Sequence, residues 1–450
     1  MTAPTPTAAT PTGEKRSRTR YAILASNFVI LSLNYADRAV IGVAAPLIIN
    51  EFGFSNAAFG WILAAFAFTY SPFGFIGGWL ADKYGPAKVM GWAAIFWSCF
   101  TALTAAGVGF VSLLIIRLLF GAGEGPQATV TAKIMHNWFP KKELGTAVGI
   151  ANAATPLGGA IGTPAVVAIL SATQGNWRVP FIIFGVLGVF FAIGWFIIVR
   201  DTPEKHSRVS PAELAYIRQD AAPAAEVGDG ADDATVAEAP PWWRYLTRPA
   251  VWTTAVAYFG YAWILWTFLN WFPTYLVNER GIDLSELAVA GAIPWIGGCI
   301  GLALGGVFTD ILVRRTGRSV GPRRWTVVIC LTATGLLFGG IGLISSTFGA
   351  VALMTVVVFL LYFTGAQYWL IVGEAVPGPV YGSVSGAVQM FATTASILAP
   401  MITGYLVDSS LGWTGTFAVA SIVSVGGALL LAVFGKVRKP LPPAAVTPTR

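Results

Sequence analysis

The chain has 450 residues, of which 55% are hydrophobic and 11% charged, and its formal net charge is +7. Soluble domains carry about 25% charged residues, so a soluble fold could not bury this much apolar surface, and a closed β-barrel would need alternating segments of about ten residues that are missing here. Basic loops of a membrane protein account for the positive balance, so no nucleic-acid partner is expected.

In chain order, residues 1–20 are rich in Thr, Pro and Ala and are expected to be a disordered tail. Apolar runs, at roughly 20 residues of helix per bilayer crossing, then predict spans near 21–45, 57–80, 87–108, 111–135, 145–171 and 179–199. A linker at 200–249, with an Ala/Asp/Glu/Gly stretch at 221–239, separates these from spans near 250–275, 286–312, 325–345, 348–374, 382–408 and 413–435, and a second tail follows at 436–450. The expected fold is therefore an all-α polytopic membrane protein, twelve transmembrane helices in two six-helix bundles at 21–199 and 250–435. Basic residues set its orientation, because positively charged loops stay in the cytoplasm. With the amino terminus inside, the inner segments hold Lys15, Arg16, Lys83, Lys88, Lys141, Lys142, Arg314, Arg315 and Lys436 among others, while the outer loops hold only Arg178 and Arg280. Both termini are thus expected in the cytoplasm, and the protein in the cell membrane.

The halves repeat one another. Gly77-Gly78-Trp79-Leu80-Ala81-Asp82 closes span two and Gly305-Gly306-Val307-Phe308-Thr309-Asp310 closes span eight. Span five opens Gly145-Thr146-Ala147-Val148-Gly149, and span eleven opens Gly382-Ser383-Val384-Ser385-Gly386. Trp177 precedes Phe181 by four residues, as Trp413 precedes Phe417. Such a duplication implies a transporter that rocks around a site between its halves.

The chemistry is expected at charges that a bilayer would exclude. A charged group at mid-membrane costs about 2.5–3.5 kcal/mol even on the lenient scale, and Asp37, Arg38, Arg117 and Glu124 are in that class. Arg117, Gly121 and Glu124 share one face of span four, and Asn34, Asp37 and Arg38 share one face of span one. Two acids and two guanidinium groups are neutral as a set, so protonating one acid leaves a net positive site that attracts an anion. Arg suits a carboxylate because its planar fork binds bidentately and stays charged. Fixed pairs of Asp37 with Arg38 and of Glu124 with Arg117 are the structural alternative. The second half offers Trp263, Trp266 and Asn270 on one face of span seven, then Gln367, Trp369, Gln389, Thr393 and Thr394, groups suited to a polyhydroxylated ligand.

Gly78-Trp79-Leu80-Ala81-Asp82-Lys83-Tyr84-Gly85-Pro86-Ala87-Lys88 resembles the signature of the major facilitator superfamily, with a weaker second copy at 310–318. That resemblance implies a cytoplasmic gate of Gly78, Asp82, Gly85, Lys88, Asp310 and Arg314. Asn34-Tyr35-Ala36-Asp37-Arg38, the stretch from Arg117 to Pro126, and Trp138-Phe139-Pro140-Lys141-Lys142-Glu143 resemble the anion:cation symporter family, which includes bacterial sugar-acid transporters. It implies proton carriage by Asp37 and Glu124, substrate contact by Arg117 and Tyr70, and substrate-facing positions for Trp369 and Gln389. Arg38, Asn270 and Thr393 complete the expected binding set. Gln389 stands where relatives commonly have Asn, which suits a smaller or differently hydroxylated ligand.

The expected function is import of a small organic anion, such as an aldonate, aldarate or hexuronate, by proton symport through alternating access. Sodium stays open as the coupling ion. An organic-anion exchanger, a proton-coupled drug exporter, or an importer of an aromatic or other carboxylate is the alternative. No enzymatic activity, metal or cofactor is expected, and the expected state is a monomer in the bilayer.

Overall fold

The computed structural model describes residues 16–219, 241–317, 320–376 and 378–436; the expected tails, apart from Arg16–Arg20 and Lys436, and the 221–239 stretch lie outside the described residues. The first half runs through α1 (Thr19–Phe52), α2 (Asn56–Tyr84), α3 (Pro86–Thr104), α4 (Phe110–Glu124), α5 (Gln127–Trp138), α6 (Lys141–Ala172) and α7 (Arg178–Ile198). Short helices α8 (Pro211–Arg218) and α9 (Trp243–Leu246) lie in the linker. The second half follows as α10 (Pro249–Asn278), α11 (Leu284–Thr316), α12 (Val320–Gly340), α13 (Thr347–Thr364), α14 (Gln367–Ala375), α15 (Gly378–Thr393), α16 (Ala395–Asp408) and α17 (Gly412–Phe434).

Among the described residues, nine stretches are long and apolar enough by themselves to cross a membrane. The other expected crossings are the short α3, the charged α4–α5 and the Trp- and Tyr-rich α10, so twelve are accounted for. Three crossings are broken, which the sequence reading did not foresee. Gly125-Pro126 separates α4 from α5, Gly365-Ala366 separates α13 from α14, and Thr394 separates α15 from α16. Spans four and ten break at equivalent places, as a duplicated unit requires. Helix starts are capped by side chains: Ser55 Oγ accepts from Ala58 N at 3.1 Å, and Asp283 Oδ1 accepts from Glu286 N at 2.9 Å.

Each half follows one packing scheme, α1 on α6, α2 on α4 and α3 on α7, then α10 on α16, α11 on α13 and α12 on α17. Small residues allow the approach: a Cβ at Gly305 would lie 2.0 Å from Phe363 O. Across the halves, α2 meets α16 and α6 meets α11. At one end of this interface, the Asp408 carboxylate accepts from Asn56 N, Asn56 Nδ2 and Ala57 N at 3.2, 2.8 and 2.7 Å, and Trp61 Nε1 donates to Tyr405 OH at 3.0 Å. Toward the opposite end, Gly145 and Gly149 on α6 and Gly382 and Gly386 on α15 face open space.

Ser17, Thr19 and Arg20 bind the linker. Glu213 on α8 is fully buried and accepts from Ser17 Oγ, from Thr19 N at 3.1 Å and from Arg20 Nη1 at 3.0 Å. Arg20 Nε also reaches Glu143 Oε2 at 3.2 Å. Nearby, the Arg218 guanidinium beside Glu204 holds that carboxyl down at about 2. Its contribution is fully present above the ordinary carboxylate range, near 4.3, and is lost only as pH falls through about 2. Removing one partner of a buried ion pair costs about 3 kcal/mol. Glu213→Ala should therefore release α8, seen as faster tryptic cleavage after Arg208 and Arg218 than in the wild type; equal cleavage rates would refute the clamp.

Candidate functional site

The four buried charges come together where α1, α2, α4 and α10 meet. Asp37 is 2% exposed, Arg38 3%, Arg117 5% and Glu124 0%. Gly121 lets α4 approach α2, because a Cβ there would lie 2.1 Å from Phe66 O. That approach brings the Arg117–Glu124 face of α4 against α1.

The pairing is not the one that each helix taken alone suggests. Arg38, rather than Arg117, holds Glu124, through Nε at 2.8 Å and Nη2 at 2.7 Å, both to Oε2. Glu124 Oε1 is buried without a hydrogen bond of ordinary geometry among the described residues, with the Asn34 side chain beside the carboxylate. Asp37 does not pair with Arg38 either; neither of its oxygens makes a hydrogen bond of ordinary geometry among the described residues, and the Trp97 indole lies beside them. Arg117 makes no ion pair among the described residues and its Nε is unpartnered, with the guanidinium 4.8 Å from the Phe120 ring centre and 5.2 Å from that of Phe66. The fixed pairs Asp37–Arg38 and Glu124–Arg117 are therefore corrected to one pair, Arg38–Glu124, flanked by an unpaired acid and an unpaired guanidinium.

An aromatic cage surrounds Arg38. Its guanidinium carbon lies 4.9 Å from the ring centre of Tyr35, 5.2 Å from Phe66, 5.0 Å from Tyr70 and 5.5 Å from Trp266. Tyr70 thus lies with the charges, stacked 5.0 Å from Phe66. Trp266 comes from the second half, so a ligand at this cluster would touch both halves. Tyr35, Phe66 and Trp266 are absent from the expected binding set; for Trp266 a signal existed, since it shares a helical face with Asn270.

The second-half candidates divide. Asn270 is 2% exposed and its Nδ2 donates to Trp266 O at 2.9 Å. Trp369 packs edge-on against Tyr258 at 5.2 Å, and the Gln389 amide lies beside the Tyr258 hydroxyl. Thr393 Oγ1 lies 3.1 Å from Ser71 Oγ, joining the halves. Gln367 is fully buried and its Nε2 donates to Thr309 Oγ1 at 2.8 Å, while its Oε1 has no hydrogen-bond partner among the described residues.

At the open end, Asp82 pairs with Lys133 on α5, a partner not foreseen. Gly85 has φ +96°, and a Cβ there would strike Asp201, whose Oδ1 accepts from Ala87 N at 3.0 Å. Gly78 packs loosely near Thr129, and Lys88 is exposed. Asp310 lies 3.8 Å from Arg323, which also reaches Glu374 at 3.2 Å, while Arg314 is exposed and makes no ion pair among the described residues. Each half thus keeps an acid–base contact at this end, made by Lys133 and Arg323 rather than by Lys88 and Arg314.

Comparison with known proteins agrees with this architecture. The model of the Major Facilitator Superfamily matches residues 28–395. The chain is 36% identical to a hexuronate transporter of Bacillus subtilis (strain 168), over 93% of this chain and 95% of that one. It is 33% identical to a protein of Cupriavidus necator named "Probable sulfoacetate transporter", over 93% of each. A third relative, the "Probable L-galactonate transporter" of Escherichia coli (strain K12), is 31% identical over 92% of this chain and 88% of that one. Among solved structures, an inward-facing, occupied bacterial homologue of the human lysosomal transporter Spinster superposes with a TM-score of 0.69 at 19% identity, covering 94% of this chain and 96% of that chain.

Proposed function

The chain belongs to the major facilitator superfamily of multi-pass membrane transporters, and from that premise we propose that it imports a small organic anion, a sugar acid of the aldonate, aldarate or hexuronate class, by proton symport. The observation that carries this reading is Arg117, 5% exposed and free of any carboxylate partner among the described residues. A buried cation needs a counter-charge, and a carboxylate substrate supplies one. The adjoining Arg38–Glu124 pair and the buried Asp37, which has no cation paired to it among the described residues, give two acids that can take up a proton as the anion enters.

The names of the relatives, for hexuronate and galactonate, support the substrate class. Alternating access fits a site touched by both halves, with closure at the Asp408 end and open space at the Asp82 end. By the positive-inside rule, that open end and both termini are cytoplasmic. The relative named for sulfoacetate favours a second reading, a small sulfonate, because Arg117 would hold a sulfonate by the same charge.

Uptake into proteoliposomes separates the two. Glucuronate, galactonate, galactarate and sulfoacetate would be offered with and without an inward proton gradient. Accumulation of a sugar acid beyond equilibrium, abolished by a protonophore, is the expected result. Accumulation of sulfoacetate alone would replace the substrate class, sodium dependence would replace the coupling ion, and no uptake of any anion would overturn the proposal.

A further inference from the structure

A groove of about 940 Å³ lies on the second half, away from the charged cluster, where α11 and α12 diverge over α13 near the Asp310 end. Its size falls at the upper end of the ~300–1,000 Å³ typical of small-molecule sites. Its walls are mostly apolar, including Phe308, Ile329, Phe359 and Phe363. Phe308 is 48% and Ile329 63% exposed, which in a membrane-spanning chain means contact with lipid tails.

One charge stands among these walls. Arg324 is only 9% exposed, its Nε has no hydrogen-bond partner, and no carboxylate among the described residues pairs with it. Arg323 beside it is served by Asp310 and Glu374. The groove therefore combines a buried cation lacking a counter-ion among the described residues with hydrocarbon-lined walls open to the bilayer.

We propose that this groove holds an anionic phospholipid from the leaflet at the Asp310 end, with its phosphate on Arg324 and an acyl chain along Phe308, Ile329 and Phe359. A soluble anion would satisfy Arg324 but leave the apolar walls unfilled. A zwitterionic lipid would bring its own cation beside Arg324, whereas a phosphatidylglycerol brings net negative charge. Trp325, 48% exposed and with its ring centre 5.2 Å from the Arg324 guanidinium carbon, stands where an aromatic side chain meets headgroups. The site does not depend on which substrate is transported.

Native mass spectrometry of the purified full chain in mild detergent tests it, with phosphatidylglycerol, phosphatidylcholine and inorganic phosphate as separate titrants. The first phosphatidylglycerol should bind about tenfold more tightly than phosphatidylcholine, the increment of one charge-assisted contact. Arg324→Gln should remove that preference. Ile329→Trp, which fills the groove and leaves Arg324 in place, should weaken phosphatidylglycerol binding to a similar extent. Equal binding of the two lipids, or wild-type affinity in either variant, would overturn the proposal. Displacement of the lipid by inorganic phosphate would also overturn it, by making Arg324 a free-anion site. Should Arg324→Gln fail to fold, Ile329→Trp decides the matter alone.

Discussion

Arg117→Ala is expected to reduce substrate affinity by about a hundredfold, and Arg117→Lys to restore only a small part of the loss. A bidentate, charge-assisted contact in a site shielded from water contributes roughly 3 kcal/mol, and each 1.4 kcal/mol is a factor of ten in affinity. Lysine keeps the charge but not the planar fork that meets both carboxylate oxygens. The wild-type guanidinium makes no ion pair among the described residues, so its removal leaves no orphaned acid partner behind. The variant should therefore remain folded, with a melting temperature near that of the wild type. This distinguishes the anchor from a structural ion pair, whose removal would lower stability and binding together. Binding measured by calorimetry or by ligand-induced thermal shift, alongside the unliganded melting curve, makes the comparison. Unchanged affinity, or a loss of affinity that tracks unfolding, would refute the role given to Arg117.

The bilayer explains why the charged cluster was legible in the sequence while its wiring was not. A membrane makes each intramembrane charge costly, so Asp37, Arg38, Arg117 and Glu124 stand out from composition and spacing alone. Which acid meets which base depends on how α1 is rotated against α4, and that is fixed by contacts such as Gly121 against Phe66, which no periodicity encodes. The aromatic cage was hidden for a different reason. With 29 Phe in the chain, nothing local marks Phe66 as ligand-facing, and although Trp266 shares a helical face with Asn270, only the ring distances to Arg38 place the two in one cage. Repeated motifs exposed the duplicated fold, but the breaks were legible unequally. Gly125-Pro126 carries recognisable breaker chemistry, whereas the break at Thr394 has no such signal. The gate partner Lys133 was missed because its register follows from the break between α4 and α5.

Glu124→Gln should abolish proton-driven accumulation while leaving exchange of preloaded substrate intact. The Arg38–Glu124 pair supplies the reason. While Glu124 is ionised, Arg38 is held on its Oε2 by a hydrogen bond from Nε and an ion-pair contact from Nη2, and Arg117 alone is without an ion pair among the described residues and open to an anion. A proton on Glu124 weakens that hold and makes a second guanidinium available to substrate. Proton and anion then bind with positive coupling, which by linkage must be reciprocal. Wild-type affinity for substrate should rise as pH falls, and in Glu124→Gln it should lose that dependence. Glutamine retains a carbonyl that can accept from Arg38 Nε, and the rings of Tyr35, Phe66, Tyr70 and Trp266 remain around the cation. Cation–π contacts contribute up to about 2 kcal/mol each when desolvated, so the amide variant is better supported than an alanine at this position. Counterflow in proteoliposomes reads the exchange step without any net proton movement, and uptake under an imposed pH gradient reads the coupling. If Glu124→Gln still concentrates substrate in response to the gradient, Glu124 does not carry the coupled proton. The pair with Arg38 would then be structural, and Asp37, 2% exposed and without an ion-pair partner among the described residues, would become the group to test next by the same two measurements.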